Sequence, residues 1–409
     1  MKNMYDLKIF TDLIEPSAIN QIYEMIAKPP FEGAKVRIMP DAHSGAGCVV
    51  GFTSTMTDKI VPNVIGVDIG CGMLTVNLGN IKIDYAALDD FIKNEIPAGS
   101  DYNEKDSDGK PYADKLFCKS QLRDLCRVYG SLGTLGGGNH FIEVDKAKNG
   151  DKYLIIHSGS RNLGLQVAKI YTKKAVDECK NAPQKEREEL IERLKAQGRV
   201  ADIPNALKEL TAKYAHRTKL TAEFCYLEGL SMQNYMHDMR ICQDFAVANR
   251  KKMCDKILKY LKIAKFSAFE TVHNFIDEKG IIRKGAVPAH KGQKLIIPMN
   301  MKDGCLICEG LGNEDWNCSA PHGAGRLYSR SAAKKMFTVA EFQAEMNGIF
   351  TTTANESTLD ESPMAYKPTK DIIKRIDDTV KIIDIIKPVY NFKAAEDSGK
   401  YGYDDKKRK

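Results

Sequence analysis

Apolar residues follow three rhythms along this chain. From 33 to 80 and again from 128 to 165 they come in short β-branched runs, such as Val64-Ile65-Gly66-Val67 and Tyr153-Leu154-Ile155-Ile156, cut by glycine or aspartate. This rhythm predicts short strands ending in tight loops, since glycine supplies the backbone freedom that a turn needs. From about 164 to 264 the apolar positions return at helical spacing. The first part of that block, Lys174 to Arg199, alternates charge sign and predicts a solvated helical hairpin broken near Pro183. The second part, Leu207 to Leu261, carries an apolar stripe that predicts packing on the rest of the molecule. From 268 to 350 the strand-and-loop rhythm resumes, and 369 to 387 predicts a last helix before Pro388. Between 84 and 127 the polar stretch Ser100 to Lys115 predicts a surface loop between helices.

Composition narrows the class. The 409 residues are 43% hydrophobic and 28% charged, which excludes a disordered or collagen-like chain and leaves material for one or two cores. No run approaches the roughly 20 apolar residues of a membrane helix, and the opening residues lack the order of a signal peptide, so a cytoplasmic protein is expected. Eleven cysteines with no dense spacing read as buried fillers, thiolate ligands or reactive groups rather than a disulfide framework. The net charge of +7 includes +3 from Lys400 to Lys409, and a basic tail is expected over 395 to 409. The remaining excess is compatible with an anionic ligand without demanding one.

The candidate chemistry lies in the Gly-rich segments. Asp68 and Cys71 place a carboxylate and a thiol three residues apart, and His140, His157 and His273 occur in comparable loop settings. Such a set suits Mn, Fe, Co or Zn better than Mg or Ca. Taken alone, Cys71 reads equally well as a buried filler, and each histidine as a hydrogen-bonded structural residue. Cys305 and Cys308, with Cys318 beyond, lack a second pair at zinc-site spacing and read as structural residues on a strand. The run Gly133 to His140 resembles a phosphate-cradling loop only loosely, lacking the Lys-Ser/Thr ending of a P-loop. Arg161 and Arg326, each near a glycine and a histidine, are candidate phosphate forks. These residues flank the helical block, which predicts that the block is an insertion in one interleaved domain.

Eight runs, MPDAH, GVDIGCGM, GTLGGGNHFIEV, HSGSRNLG, DFAVANR, RKGAVPAHKGQ, SAPHGAGR and ESPMAYK, together resemble the RtcB family of RNA-splicing and RNA-repair ligases in kind and order from about 36 to 394. The resemblance implies an α+β fold, a single domain over 1 to 394 with mixed β-sheets, packed helices and a helical insertion at about 164 to 264. It implies a ligase that joins an RNA 3′-phosphate or 2′,3′-cyclic phosphate to a 5′-hydroxyl, using GTP and two Mn²⁺ ions. By the same resemblance His322 is the nucleophile that becomes guanylylated, and Asp41 orients its ring. Asp68, Cys71, His140, His157 and His273 are the implied metal ligands, with Cys71 bridging the ions. Asn139, Phe141, Glu143, Gly323, Gly325, Tyr366 and Lys393 match positions at the guanylate.

Arg161, Asn249, Arg250 and Arg326 are the expected RNA contacts, and an archease-like activator is a candidate partner. His43 and His290 are expected to support the site. The chain departs from the family where Asn300 and Cys305 replace two serines that line the nucleotide site; cysteine is the weaker hydrogen-bond donor. A metal-dependent RNA end-processing phosphoesterase without sealing activity is the leading alternative, and a non-catalytic RNA-binding protein the next.

Overall fold

The computed structural model describes residues 5–394, so the expected basic tail lies outside the described residues. The first strands are β1 (Asp6–Ile9), β2 (Lys35–His43), β3 (Val50–Thr55), β4 (Lys59–Ile60) and β5 (Gly72–Gly79). Next come β6 (Phe141–Lys146), β7 (Lys152–Ser158), β8 (Leu227–Glu228), β9 (Ser267–Val272), β10 (Phe275–Ile276) and β11 (Ile281–Lys284). The last are β12 (Ala286–Pro288), β13 (Lys294–Asn300), β14 (Gly304–Gly310), β15 (Ser319–Pro321) and β16 (Val380–Lys393).

They form a seven-stranded antiparallel sheet ordered β13-β14-β16-β6-β7-β5-β9 and a five-stranded sheet ordered β1-β2-β3-β11-β10. Only β1 with β2 is parallel in the smaller sheet. Two short ribbons, β12-β15 and β4-β8, complete the strands, and helices pack on the sheets in an α+β arrangement. Among the described residues no helix is long and apolar enough to cross a membrane.

The helical block comprises Arg161–Val176, a π-turn at Asp177–Asn181, then Ala182–Ala196, Ile203–Thr218 and Gly229–Tyr260. Pro183 sits in the first turn after the π-turn, and the helical run passes through it without a break. The largest core cluster joins Ile38 and Phe52 of the smaller sheet with Leu163, Tyr235 and Phe245 of the block. Met253, Ile257 and Leu258 of the long helix pack instead with Val76, Leu154 and Ile156 of the larger sheet. One helix therefore touches both cores.

Three local expectations are corrected. The predicted last helix over 369 to 387 is only the turn Thr369–Ile373, followed by the long strand β16. Ile382, Ile383, Ile385 and Ile386 fit helical spacing, but they are β-branched and run along β14, and the strand continues from Lys387 along β6. Pro388 is accommodated at a register shift before Tyr390. The run at Val64-Ile65 is not a strand but the helical turn Pro62–Ile65, ended by Gly66 at φ 93°. The segment expected as strand and loop to 350 contains the helices Arg330–Met336 and Val339–Glu345, the second held by a Thr338–Glu341 capping box.

Candidate active site

The ends of β5, β6, β7 and β9 bring the expected donors together at a cleft of about 640 Å³. Cys71 Sγ lies 3.3 Å from both His140 Nε2 and His157 Nε2, and Asp68 Oδ2 lies 2.9 Å from His140 Nε2. His140 Nδ1 is 2.9 Å from the Leu135 carbonyl and His157 Nδ1 is 3.0 Å from that of Asn139. Each carbonyl accepts a hydrogen bond from Nδ1–H, which turns Nε2 toward Cys71. Cys71, His157 and His273 form one group of convergent donors and Asp68, Cys71 and His140 another, sharing the thiol.

His273 Nδ1 is buried and meets no hydrogen-bond partner among the described residues, which fits an atom reserved for a cation. Burial and neighbouring histidines hold His157 and His273 well below the usual imidazole range, so both present neutral rings. Burial and Asp68 push the Cys71 thiol up, a tendency that a cation opposes. Burial also pushes Asp68 upward, but the His140 hydrogen bond, with the charges of His140 and Arg161, draws it to about 2. Gly159 permits this approach, since a Cβ there would stand 2.1 Å from Asp68 Oδ1.

His322 follows β15 and faces the same cleft. Its Nδ1 lies 2.7 Å from Asp41 Oδ2, which also accepts the His322 backbone N–H at 3.1 Å. Asp41 is fully buried on β2, so the ring is fixed by a carboxylate that solvent does not reach. No hydrogen bond reaches His322 Nε2 among the described residues, and the His273 ring centroid is 5.0 Å away. Gly325, at φ 74°, lets the loop lie against β2; a Cβ would fall 2.1 Å from the Asp41 carbonyl. His43 also lines the cleft, with Nδ1 3.0 Å from the Asp41 carbonyl, whereas His290 lies outside it.

With this geometry in place, sequence comparison is decisive. The profile of the family described as "tRNA-splicing ligase RtcB" matches residues 21–118 and 113–394. The chain belongs to this ligase family. It is 29% identical to RNA-splicing ligase RtcB1 of Escherichia coli (strain ATCC 25922), over 92% of this chain and 94% of that protein. RNA-splicing ligase RtcB of Escherichia coli K12 is 28% identical over the same shares. The tRNA-splicing ligase RtcB of Aeropyrum pernix is 26% identical over 81% of each chain.

Within this RtcB-family site, Asn139, Phe141, Glu143, Asn300, Gly323, Gly325, Tyr366 and Lys393 all line the cleft. Arg326 lines it too, but is committed to Glu361 at 3.1 Å, the Asp360 carbonyl and the Tyr328 carbonyl. Sequence reasoning assigned nothing to Glu361, although it opens the run ESPMAYK. Its buried carboxylate also binds Lys393 Nζ at 3.0 Å and Tyr366 Oη at 2.5 Å. Burial opposes ionisation there, but Lys393 and Arg326 hold Glu361 well below the usual carboxylate range. Lys367, at the other end of that run, caps the carbonyls of Leu13, Pro40 and Ala42 beside the Asp41 strand.

Other expected contacts lie elsewhere. Asn249 is fully buried, bonded to Gly133, Thr134, Ser158 and Gly159, and Arg250 is buried against Glu270 and the carbonyls of Gly70 and Ser158. Their donors brace the loops that carry the metal candidates and do not face the cleft. Arg161 lies behind Asp68, donating to Thr134 Oγ1 and the Gly99 carbonyl. Cys305 does not line the cleft, because strand alternation turns it beneath Glu143, with Sγ 3.7 Å from Glu143 Oε1. Cys308 is buried on β14, as its structural reading required.

Proposed function

We propose that the protein is an RNA ligase that joins a 3′-phosphate or 2′,3′-cyclic phosphate end to a 5′-hydroxyl end, using GTP and Mn²⁺ through a guanylylated His322. The observation that carries this reading is the His322–Asp41 pair at 2.7 Å, in the same cleft as two donor groups that share Cys71. Asp41 holds the proton on Nδ1 and so leaves Nε2 as the nucleophile. As Nε2 bonds to the α-phosphorus of GTP and pyrophosphate departs, the ring gains positive charge, which the buried carboxylate offsets. An RNA 3′-phosphate oxygen then takes the guanylate and frees His322. Finally the 5′-hydroxyl attacks the activated RNA phosphorus, its proton is lost and GMP departs. Water opens a cyclic end to the 3′-phosphate beforehand.

Asp68, Cys71 and His140, with His157 and His273, are the residues that would hold Mn²⁺. Bound there, the ions would offset charge on phosphate oxygens. Lys393, Tyr366 and Arg326, held together by Glu361, are proposed to face the nucleotide. An archease-like activator is proposed as a further partner on the family resemblance.

Incubation with α-labelled GTP and Mn²⁺ tests the intermediate. Label is expected on the wild-type chain and lost in His322→Ala; equal labelling of the variant would reject the assignment. Defined RNA ends test the reaction itself. Joining of only 3′-hydroxyl to 5′-phosphate ends would contradict it, while opening of cyclic ends without joined product would favour a phosphoesterase.

A further inference from the structure

We propose that Glu143, Asp145 and Cys305 form an additional cation site, suited to a divalent transition ion such as Zn²⁺, in the floor of the cleft. These residues are distinct from the two groups that share Cys71. Their ligand atoms lie within 4.8 Å of one another. All three side chains are buried, with relative exposures of 3%, 0% and 1%. They share one face of the larger sheet, because Glu143 and Asp145 are two apart on β6 and Cys305 reaches across β16 from β14. Around them that face is apolar, with Met73, Ile155, Ile296, Ile307 and Ile386 excluding water.

The unmatched atoms point to a missing cation. Among the described residues Asp145 meets only the carboxyl of Glu143 and the thiol of Cys305, with no N–H donor at either oxygen, and Asn391 Oδ1 is buried and unpaired. Asn391 Nδ2 donates to Glu143 Oε2, which presents the amide at the same cluster. Among the described residues no Lys, Arg or His makes an ion pair with Glu143 or Asp145. Lys393 is engaged by Glu361 at 3.0 Å, and Lys387 donates to the Asp303 carbonyl at 2.9 Å. Two adjacent buried carboxyls with no lysine or arginine in direct contact repel each other, and although Lys393 and Lys387 act on them from farther off, burial with Glu143 nearby drives Asp145 well above the usual carboxylate range.

A divalent ion would remove that conflict by keeping both carboxylates and the thiolate ionised. One thiolate and two carboxylates, with a fourth position left for water, match the ligand habit and mixed softness of Zn²⁺ or Co²⁺ better than those of Mg²⁺. Glu143 and Asn391 line the cleft, which gives the ion a way in. An ion there would also fix the Glu143 carboxylate at the proposed nucleotide pocket. The metal-site geometry itself does not depend on the ligase reading.

Cobalt alone tests this site. Metal-stripped Cys71→Ala protein, in which the neighbouring thiol is gone, is titrated with Co²⁺ and its sulfur-to-cobalt charge-transfer absorption recorded. The band is expected to saturate at about one equivalent, to vanish in Cys71→Ala/Cys305→Ser, and to need at least about ten-fold more Co²⁺ in Cys71→Ala/Asp145→Asn. No band in Cys71→Ala, or a band that survives Cys305→Ser, would overturn the proposal and favour two carboxyls sharing a proton. If the Cys71 variant does not fold, zinc content of the wild-type chain against Cys305→Ser decides instead: one ion fewer per chain supports the site and equal content overturns it. No GTP or RNA enters either measurement, so loss of ligation cannot be confused with loss of this site.

Discussion

Asp41 places one buried carboxylate oxygen against both the backbone N–H and Nδ1 of His322. Asp41→Asn preserves shape but can present an amide N–H to Nδ1, favouring the tautomer in which Nε2 carries the proton. Single-turnover guanylylation is therefore expected to slow by on the order of 10³-fold with little change in folding stability. A near-normal rate measured with labelled GTP would remove Asp41 from the mechanism.

His43 offers a second test at this scale. Burial holds it at about 4, against 6.5 for a free imidazole. Between those values the unfolded chain binds a proton that the folded chain refuses, so this contribution is complete above pH 6.5 and is lost as pH falls to about 4. Up to about 3 kcal/mol is at stake. Urea unfolding at successive pH values should show a shallower acid decline in His43→Gln; an unchanged slope would mean that His43 is not held neutral.

The long helix Gly229–Tyr260 connects the two cores and delivers Asn249 to the loops carrying Thr134 and Gly159. Asn249→Ala strips several buried backbone groups of their partner and should destabilise the protein by about 2–4 kcal/mol. Because Asn249 is buried away from the cleft, the salt dependence of RNA binding should keep its slope, whereas loss of a phosphate contact would reduce it. Unfolding and RNA titration at several salt concentrations separate the two outcomes. The motif DFAVANR was legible as important, but its buried bracing role required knowing which loops pack on that helix. Strand β16 was illegible for a related reason. Its isoleucines satisfy helical spacing, and only the open edge of β14 gives them an extended partner.

Across the whole molecule, His140, His157 and His273 reach Asp68 and Cys71 from widely separated parts of the chain, so a cation held there would bind the folded state alone. Mn²⁺ added at a hundred times its dissociation constant should stabilise the metal-free protein by about 2.7 kcal/mol, or about 3 °C in Tm for a chain this long. Cys71→Ala should lose most of that shift in scanning calorimetry; the same rise in the variant would argue against the shared-thiol site. Lower pH should weaken the effect, because protons compete for the imidazoles and the thiolate.

The sequence by itself determined the chemical inventory: a nucleophile candidate in the loop of His322, five metal-ligand candidates, four of them within two residues of a glycine, and a family resemblance carried by runs in a fixed order. Residue type sets what an atom can donate, accept or ligate, and glycine-rich motifs are local, so both survive in one dimension. Only the tertiary structure decided which groups meet. It set Glu361 among Arg326, Tyr366 and Lys393, buried Asn249 and Arg250 behind the loops, and turned Cys305 under Glu143 toward Asp145. Those outcomes depend on strand register and on which faces are shielded from water, and both are fixed by contacts between segments far apart in the chain.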